Sequence, residues 1–291
     1  MCEIKEVQAI YSFMKVKGIG IARTNKELAS YKQQIGAMWT LEEWLLSVLN
    51  PEQKSEYYAQ YVRVDGLKIK SNDVYFNTVL DSSYPAPLKN LLRLNTPPVL
   101  SMVGNVKLLG NKTIGFSGSR KVSEKGIAVT RDCVEQLSVI PGVSIVSGYA
   151  QGVDKEAHYA ALASGGSTII VLPNGISSFY VRQDLKDVWD WNRVLVISEY
   201  QPEDKWTVSR AMNRNNTIIG LSDSMVVVEA GLTGGSMDAG LRTLEDHKPL
   251  FVPIYSDYPE SAQGNKVLIE KGARGIGRSR ENSRANIFAL L

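Results

Sequence analysis

The sequence is poor in the side chains that carry redox and metal chemistry: it has only two cysteines, Cys2 and Cys133, and two histidines, His158 and His247. So few soft ligands build neither a disulfide framework nor a familiar structural zinc cluster, and they suit a reducing compartment. Charge of one sign is also missing. Lys and Arg number 33 against 30 Asp and Glu, and the resulting +3 is too small to mark a polyanion-binding protein by itself. Any phosphate site must therefore be a local concentration of basic groups. No apolar run approaches the roughly 18 residues of a membrane helix, and charges interrupt the apolar positions of the N-terminus. A cytoplasmic chain without a membrane partner is expected. There is no G-x-S-x-G, and neither histidine has an apparent partner, so no catalytic residues are assigned. No metal site or cofactor is expected either.

What is present suits an α/β protein. With 291 residues and 44% hydrophobic content, the chain can bury one large core and a smaller appended domain. From Glu3 to about Tyr61, apolar residues recur every three or four positions (Val7, Ile10, Tyr11, Met14, then Leu41, Trp44, Leu45, Val48), which predicts a small helical domain over residues 1–69. Within it, Lys17-Gly18-Ile19-Gly20 reads as a tight interhelical turn. Some helix-hairpin-helix modules hold a phosphate on such a turn, and a plain connection needs the same residues. Residues 70–105 contain Pro85, Pro87, Pro97 and Pro98 and are expected to be an extended bridge.

Beyond it, residues 106–291 alternate short β-branched runs with amphipathic stretches. Strands are expected at Thr113–Phe116, Val143–Val146, Thr168–Leu172, Val194–Ile197, Met225–Val228 and Leu250–Val252. Helices are expected near 124–138, 153–164, 208–221 and 236–246. Near-continuous apolar strands separated by helices predict a doubly wound, mostly parallel Rossmann-like sheet.

In such sheets, ligands bind beyond the carboxyl ends of the strands, where the informative residues fall. After the first strand, Gly118-Ser119-Arg120 joins small residues to a guanidinium fork, a pairing suited to phosphate. It is not G-x-G-x-x-G, so a dinucleotide is disfavoured. A glycine turn with a surface arginine is the plain alternative. After the second strand, Gly148 and Gly152 frame another small-residue turn; Asp154 suits a helix N-cap and His158 a packed histidine. After the third, Phe179 and Tyr180 adjoin Arg182, rings that could stack bases beside a cation, or be buried under a loop. Arg210 and Arg214 lie four residues apart on one helix, with Asn215 beside them, ready to contact phosphate or to cap the sheet. Gly235 and Ser236 complete the last strand-end loop.

The order of GSR (Gly118–Arg120), SGYAQGVDKEAH (Ser147–His158), VLPNGISSFY (Val171–Tyr180), SEY (Ser198–Tyr200), Arg214-Asn215 and VVVEAGLTGGS (Val226–Ser236) resembles the bacterial DNA-processing DprA (Smf) family. Asp81–Leu88 and Gly264-Asn265 extend the resemblance over most of the chain. It implies a helical domain of SAM or helix-hairpin-helix type, and a basic Rossmann pocket that binds single-stranded DNA. It also implies a homodimer that protects incoming DNA and helps load the recombinase RecA in natural transformation. Arg120 matches the family's GSR arginine, Arg182 a basic position after the aromatic loop, and Arg214 and Asn215 the start of its RNR motif. Asn216, Val181, Gly234 and Ala239 depart from the pattern, and no C-terminal winged-helix module is expected. The tail, Arg278–Leu291, would dock on a neighbour or fray. Two further readings of the same phosphate cradle are a nucleotide-sensing domain and a LOG-like nucleotide phosphoribohydrolase. The latter needs a PGG-x-GT-x-x-E loop, which Thr233–Ser236 matches only loosely.

Overall fold

The computed structural model describes residues 3–34, 39–69, 72–279 and 283–291, which form two compact units. The first comprises residues 1–103, 174–179 and 197–206; the second comprises 104–173, 180–196 and 207–291.

In the first unit four helices come in succession: α1 (Ile4–Lys15), α2 (Ile21–Gln33), α3 (Leu41–Ser47) and α4 (Pro51–Ala59). Their starts are written in the sequence. Thr40 and Glu43 form a reciprocal capping box at α3, and Asn50 and Gln53 form another at α4, where Pro51 occupies the first turn. The Lys17–Gly20 turn lies between α1 and α2 as expected, with Gly18 at φ 80. Val7, Ile10, Phe13, Leu28, Leu45 and Tyr57 are buried, which accounts for the helical spacing.

The stretch expected to be an extended bridge holds regular structure. A two-residue ladder, β1 (Lys68–Ile69) with β2 (Asn72–Asp73), precedes β3 (Tyr75–Thr78), α5 (Ala86–Leu92) and β4 (Val99–Gly104). β3 pairs antiparallel with β4. The prolines do not prevent this. Pro85 is the residue before α5, Pro87 lies in its first turn, and Pro97 and Pro98 precede β4, where no ladder N–H is needed. The Tyr84 hydroxyl donates to the Pro97 carbonyl at 2.7 Å and folds the segment back on itself.

The second unit is α/β. Its elements are β5 (Lys112–Ser117), α6 (Glu124–Ser138), β6 (Val143–Ser147), α7 (Val153–Ala163), β7 (Ser167–Leu172), β8 (Val194–Ser198), α8 (Val208–Leu221), β9 (Ser224–Val227), α9 (Gly235–Glu245), β10 (Leu250–Pro253), α10 (Gln263–Glu270) and β11 (Arg274–Ile276). The last two residues of β8 cluster with the first unit. The strand order runs β11-β10-β9-β5-β6-β7-β8, and each ladder from β11 through β7 is parallel. Every residue of β6, β9 and β10 is buried, the pattern of strands covered on both faces.

The connectivity places the site. From β5 the chain winds outward through β6, β7 and β8, then returns along α8 to β9, on the other side of β5, and winds outward to β10 and β11. The switch point therefore falls between β5 and β9, and the crevice opens beyond Ser117 and Val227. Among the described residues, no helix is long and apolar enough to cross a membrane.

The described residues of the tail make contacts within their own chain. Asp132 on α6 accepts from the Ala285 N–H and the Arg284 Nε, both at 2.5 Å, and Arg278 bridges to Ala285. Ile287 and Leu290 are buried in the core against α6 and β5, while Phe288 stays exposed. The carboxylate that captures the tail lies 153 residues away in sequence, so the sequence pattern carried no sign of this contact within the chain.

Candidate nucleic-acid interface

Three strand-end turns interlock at the switch point. The Ser119 N–H donates to the Glu229 carbonyl at 2.8 Å, tying the turn after β5 to the end of β9, and the Val153 N–H donates to the Ser119 carbonyl at 3.3 Å, tying it to the start of α7. Two glycines permit the approach. A side chain at Gly118 would collide with Val153, and one at Gly152, which has φ 79, would strike the Ser119 carbonyl and the Arg120 backbone. Arg120 is exposed above this junction.

Asp154 does not cap α7. The N-cap is Gly152, whose left-handed backbone turns the chain into the helix, while Asp154 lies in the first turn and accepts from the Ala150 N–H at 3.3 Å. Beneath the turn, Arg214 is only 5% exposed, and its Nη1 donates to the Val171 carbonyl at 2.9 Å. The guanidinium and the Asp154 carboxylate together fill the space that a side chain at Gly148 would need. Arg214 thus braces the loop from inside. Helical spacing correctly paired it with Arg210, but spacing does not say which way that face turns; Arg210 is half-buried at the start of α8.

His158 is fully buried, with Nε2 2.5 Å from the Gly148 carbonyl and Nδ1 2.7 Å from the Thr168 hydroxyl. Burial pulls its pKa down to about 4, partly offset by the Gly148 bond and the Asp154 charge, so the ring is neutral near pH 7. A carbonyl only accepts, so the proton of the neutral ring resides on Nε2, while Nδ1 faces the Thr168 hydroxyl, which also reaches the Ile145 carbonyl at 3.0 Å. The histidine is a packed strut for the Gly148 turn.

The aromatic loop splits. Tyr180 is 67% exposed, whereas Phe179 is buried and belongs to the first unit, so its ring has no free face for a base. Tyr149, next to Gly148, organises the exposed part: its hydroxyl donates to the Tyr180 carbonyl and accepts from the Arg182 N–H, both at 3.2 Å. Burial raises the Tyr149 pKa to about 12, which keeps that hydroxyl protonated. The Arg182 guanidinium lies 5.8 Å from the Tyr149 ring centroid and 3.4 Å from Asp184, which also meets Lys155. On the β9 side, the Asn215 side-chain N–H donates to the Gly235 carbonyl at 3.3 Å, holding the start of α9, where Gly235 and Ser236 are half-buried.

Sequence reasoning passed over Glu229. Its carboxylate is fully buried and accepts from the Ser123 N–H at 3.0 Å, the Ser123 hydroxyl, and the Ser261 hydroxyl at 2.6 Å. An acid directly after the apolar run of β9 was the available signal, because a buried carboxylate must be met by donors. Asn265, which entered only through the resemblance and was given no role, is fully buried, accepts from the Ala230 N–H and donates to the Val228 carbonyl, fixing the loop after β9.

Residues 75–285 match the family model for DNA recombination-mediator protein A. The chain belongs to this family, DprA/Smf. It is 28% identical over 271 residues to the DNA processing protein DprA of Streptococcus pneumoniae, covering 91% of this chain and 93% of that protein. The X-ray structure of DprA from Streptococcus pneumoniae superposes with a TM-score of 0.74 at 27% identity, over 92% of this chain and 93% of the other. DNA processing protein A from Helicobacter pylori, a structure described for its single-stranded DNA binding mode, gives a TM-score of 0.59 at 28% identity, over 69% and 90%. The match to DprA structures agrees with the α/β, mostly parallel Rossmann-like fold read from the strand pattern.

Proposed function

We propose that this chain binds single-stranded DNA across the β5, β6 and β9 strand ends, acts in recombination, and passes the strand to a RecA-type recombinase, working as a homodimer. The observation that carries the binding site is the exposed arginine, Arg120, mounted on the β5 turn, which is hydrogen-bonded to the start of α7 and to the end of β9 at the topological switch point. In this reading Arg120, Arg182 and Arg210 meet phosphates. The backbone of Gly118, Ser119, Gly148, Gly152, Gly235 and Ser236 shapes the cradle, and Tyr180 stacks a base. Arg214 and Asn215 position the loops. The family description and the Helicobacter pylori relative support the same direction. No nucleophile or acid–base pair is invoked, since binding alone accounts for the arrangement.

Titration of a labelled oligonucleotide against salt tests the reading. Affinity for single strands is expected to fall with a logarithmic slope of about −0.7 per phosphate neutralised. Arg120→Ala is expected to remove about one phosphate from that slope and to weaken binding by about 1.5–3 kcal/mol without lowering Tm. An Arg120→Ala protein with unchanged slope and affinity rules out the cradle. Tyr180→Ala is expected to lose about 1–3 kcal/mol, the contribution of one stacked base.

A further inference from the structure

Two further charged residues meet beside Arg182 on the rim of the second unit. Lys155 lies in the first turn of α7, and Asp184 in a short helical turn over Gln183–Val188 that follows the aromatic loop. The Asp184 carboxylate stands between two cations. One of its oxygens is 3.4 Å from Arg182 Nε; the other is 3.5 Å from Arg182 Nη2 and 3.6 Å from Lys155 Nζ. Both oxygens therefore face the guanidinium fork, the arrangement by which an arginine also takes a phosphate.

The cations are placed by groups other than Asp184. The Arg182 side chain is 14% exposed; its guanidinium lies 5.8 Å from the Tyr149 ring centroid, and its backbone N–H donates to the Tyr149 hydroxyl. Lys155 sits at the positive end of the α7 dipole, where a cation is at a disadvantage until an anion meets it. Its neighbours on α7 do not serve, because Asp154 accepts from the Ala150 N–H and Glu156 pairs with Arg131. Gly152, three residues before Lys155, packs so closely on the β5 turn that a Cβ there would lie 2.8 Å from the Arg120 Cα. The start of α7 and the Arg120 turn thus form one junction, and Lys155 belongs to it.

The carboxylate itself is loosely held. Its contacts of 3.4–3.6 Å exceed the about 2.7–2.9 Å of a closed charge-assisted bond, and its side chain is 42% exposed. Exposed pairs of this kind contribute little to stability. What Asp184 does is occupy the place of an anion between a lysine and an arginine.

We propose that Arg182 and Lys155 form a phosphodiester subsite in which Asp184 is an exchangeable internal counter-anion, displaced as the phosphate arrives. This rests on the reading that a single strand crosses the rim, and deepens it: Lys155 is a further phosphate ligand, and Asp184 sets the affinity by competing for the same two cations.

The test is titration of the full chain with a labelled oligothymidylate over a range of salt, comparing the wild type with Asp184→Asn, Lys155→Gln and Arg120→Ala. Asp184→Asn removes the competitor, and is expected to tighten binding about fivefold, the scale of one exposed ion pair, and to steepen the salt slope. Lys155→Gln is expected to weaken binding by a similar factor and to flatten the logarithmic slope by about 0.7, the share of one phosphate. Neither is expected to change Tm. Asp184→Asn that leaves affinity and slope unchanged, or weakens binding, overturns the exchange; Lys155→Gln with an unchanged slope overturns the role of the lysine, whatever happens to Tm. Arg120→Ala separates the two readings. Weaker binding there, with the other two variants silent, removes the subsite and leaves the rim; a silent Arg120→Ala beside responsive Asp184→Asn and Lys155→Gln removes the Arg120 cradle and keeps the subsite. Absence of binding by all four proteins removes both.

Discussion

Arg214→Ala is expected to destabilise the folded protein by about 3–5 kcal/mol, which thermal or urea unfolding measures directly. The side chain is 5% exposed, donates to the Val171 carbonyl and shares the space beside Gly148 with the Asp154 carboxylate. Truncation leaves a cavity, an orphaned carbonyl and a carboxylate, 7% exposed, without its cationic neighbour. The contrast with Arg120→Ala is the informative part. One arginine is exposed and its loss is expected to reduce DNA affinity at constant Tm; the other is buried, and its loss is expected to lower Tm first and affinity only through the displaced Gly148 turn. Equal Tm for the two variants would mean that Arg214 is not the brace described here.

Acidification is expected to weaken the fold through His158. The ring has a pKa of about 4 when folded and 6.5 when free, so between those values the unfolded chain binds the extra proton. Stability then rises with pH in that window and falls as pH drops from 6.5 toward 4, by about 3 kcal/mol in all. The loss is a cost of burying charge rather than of broken hydrogen bonds, because an imidazolium keeps its bond to the Gly148 carbonyl and can donate from Nδ1 to the Thr168 hydroxyl, whose own proton has the Ile145 carbonyl as acceptor. His158→Gln removes the titration. Unfolding free energies across this window are expected to drop more steeply for the wild type than for the variant, and parallel curves would contradict the assignment.

Much of the second unit was legible because parallel strands covered on both faces must be continuously apolar. The six runs expected as strands coincide with β5 to β10 to within a residue or two at each end, and the four helices follow suit. β11, three residues with two exposed, carries no such run. β4 does, but the prolines before it masked the signal; proline forbids a ladder donor inside a strand, not ahead of one. For the site, the residue types at the strand ends were readable and their exposure was not. Tyr180 and Phe179 are adjacent and face opposite environments, and Arg214 turns inward while Arg120 turns out. Such choices are made by partners distant in sequence, as with the Val171 carbonyl for Arg214 and Glu229 for Ser123.

Glu229 has a consequence for kinetics. One carboxylate clasps the first turn of α6 and Ser261, while its own carbonyl receives the Ser119 N–H, so the loops around the crevice are fastened to one another by bonds internal to the chain. If the proposed binding holds, a strand arriving there meets a surface already assembled, with little loop entropy to surrender on contact. Capture is then governed by diffusional encounter and by the long-range pull of the arginines, and the lifetime of the complex by how many phosphates must let go together.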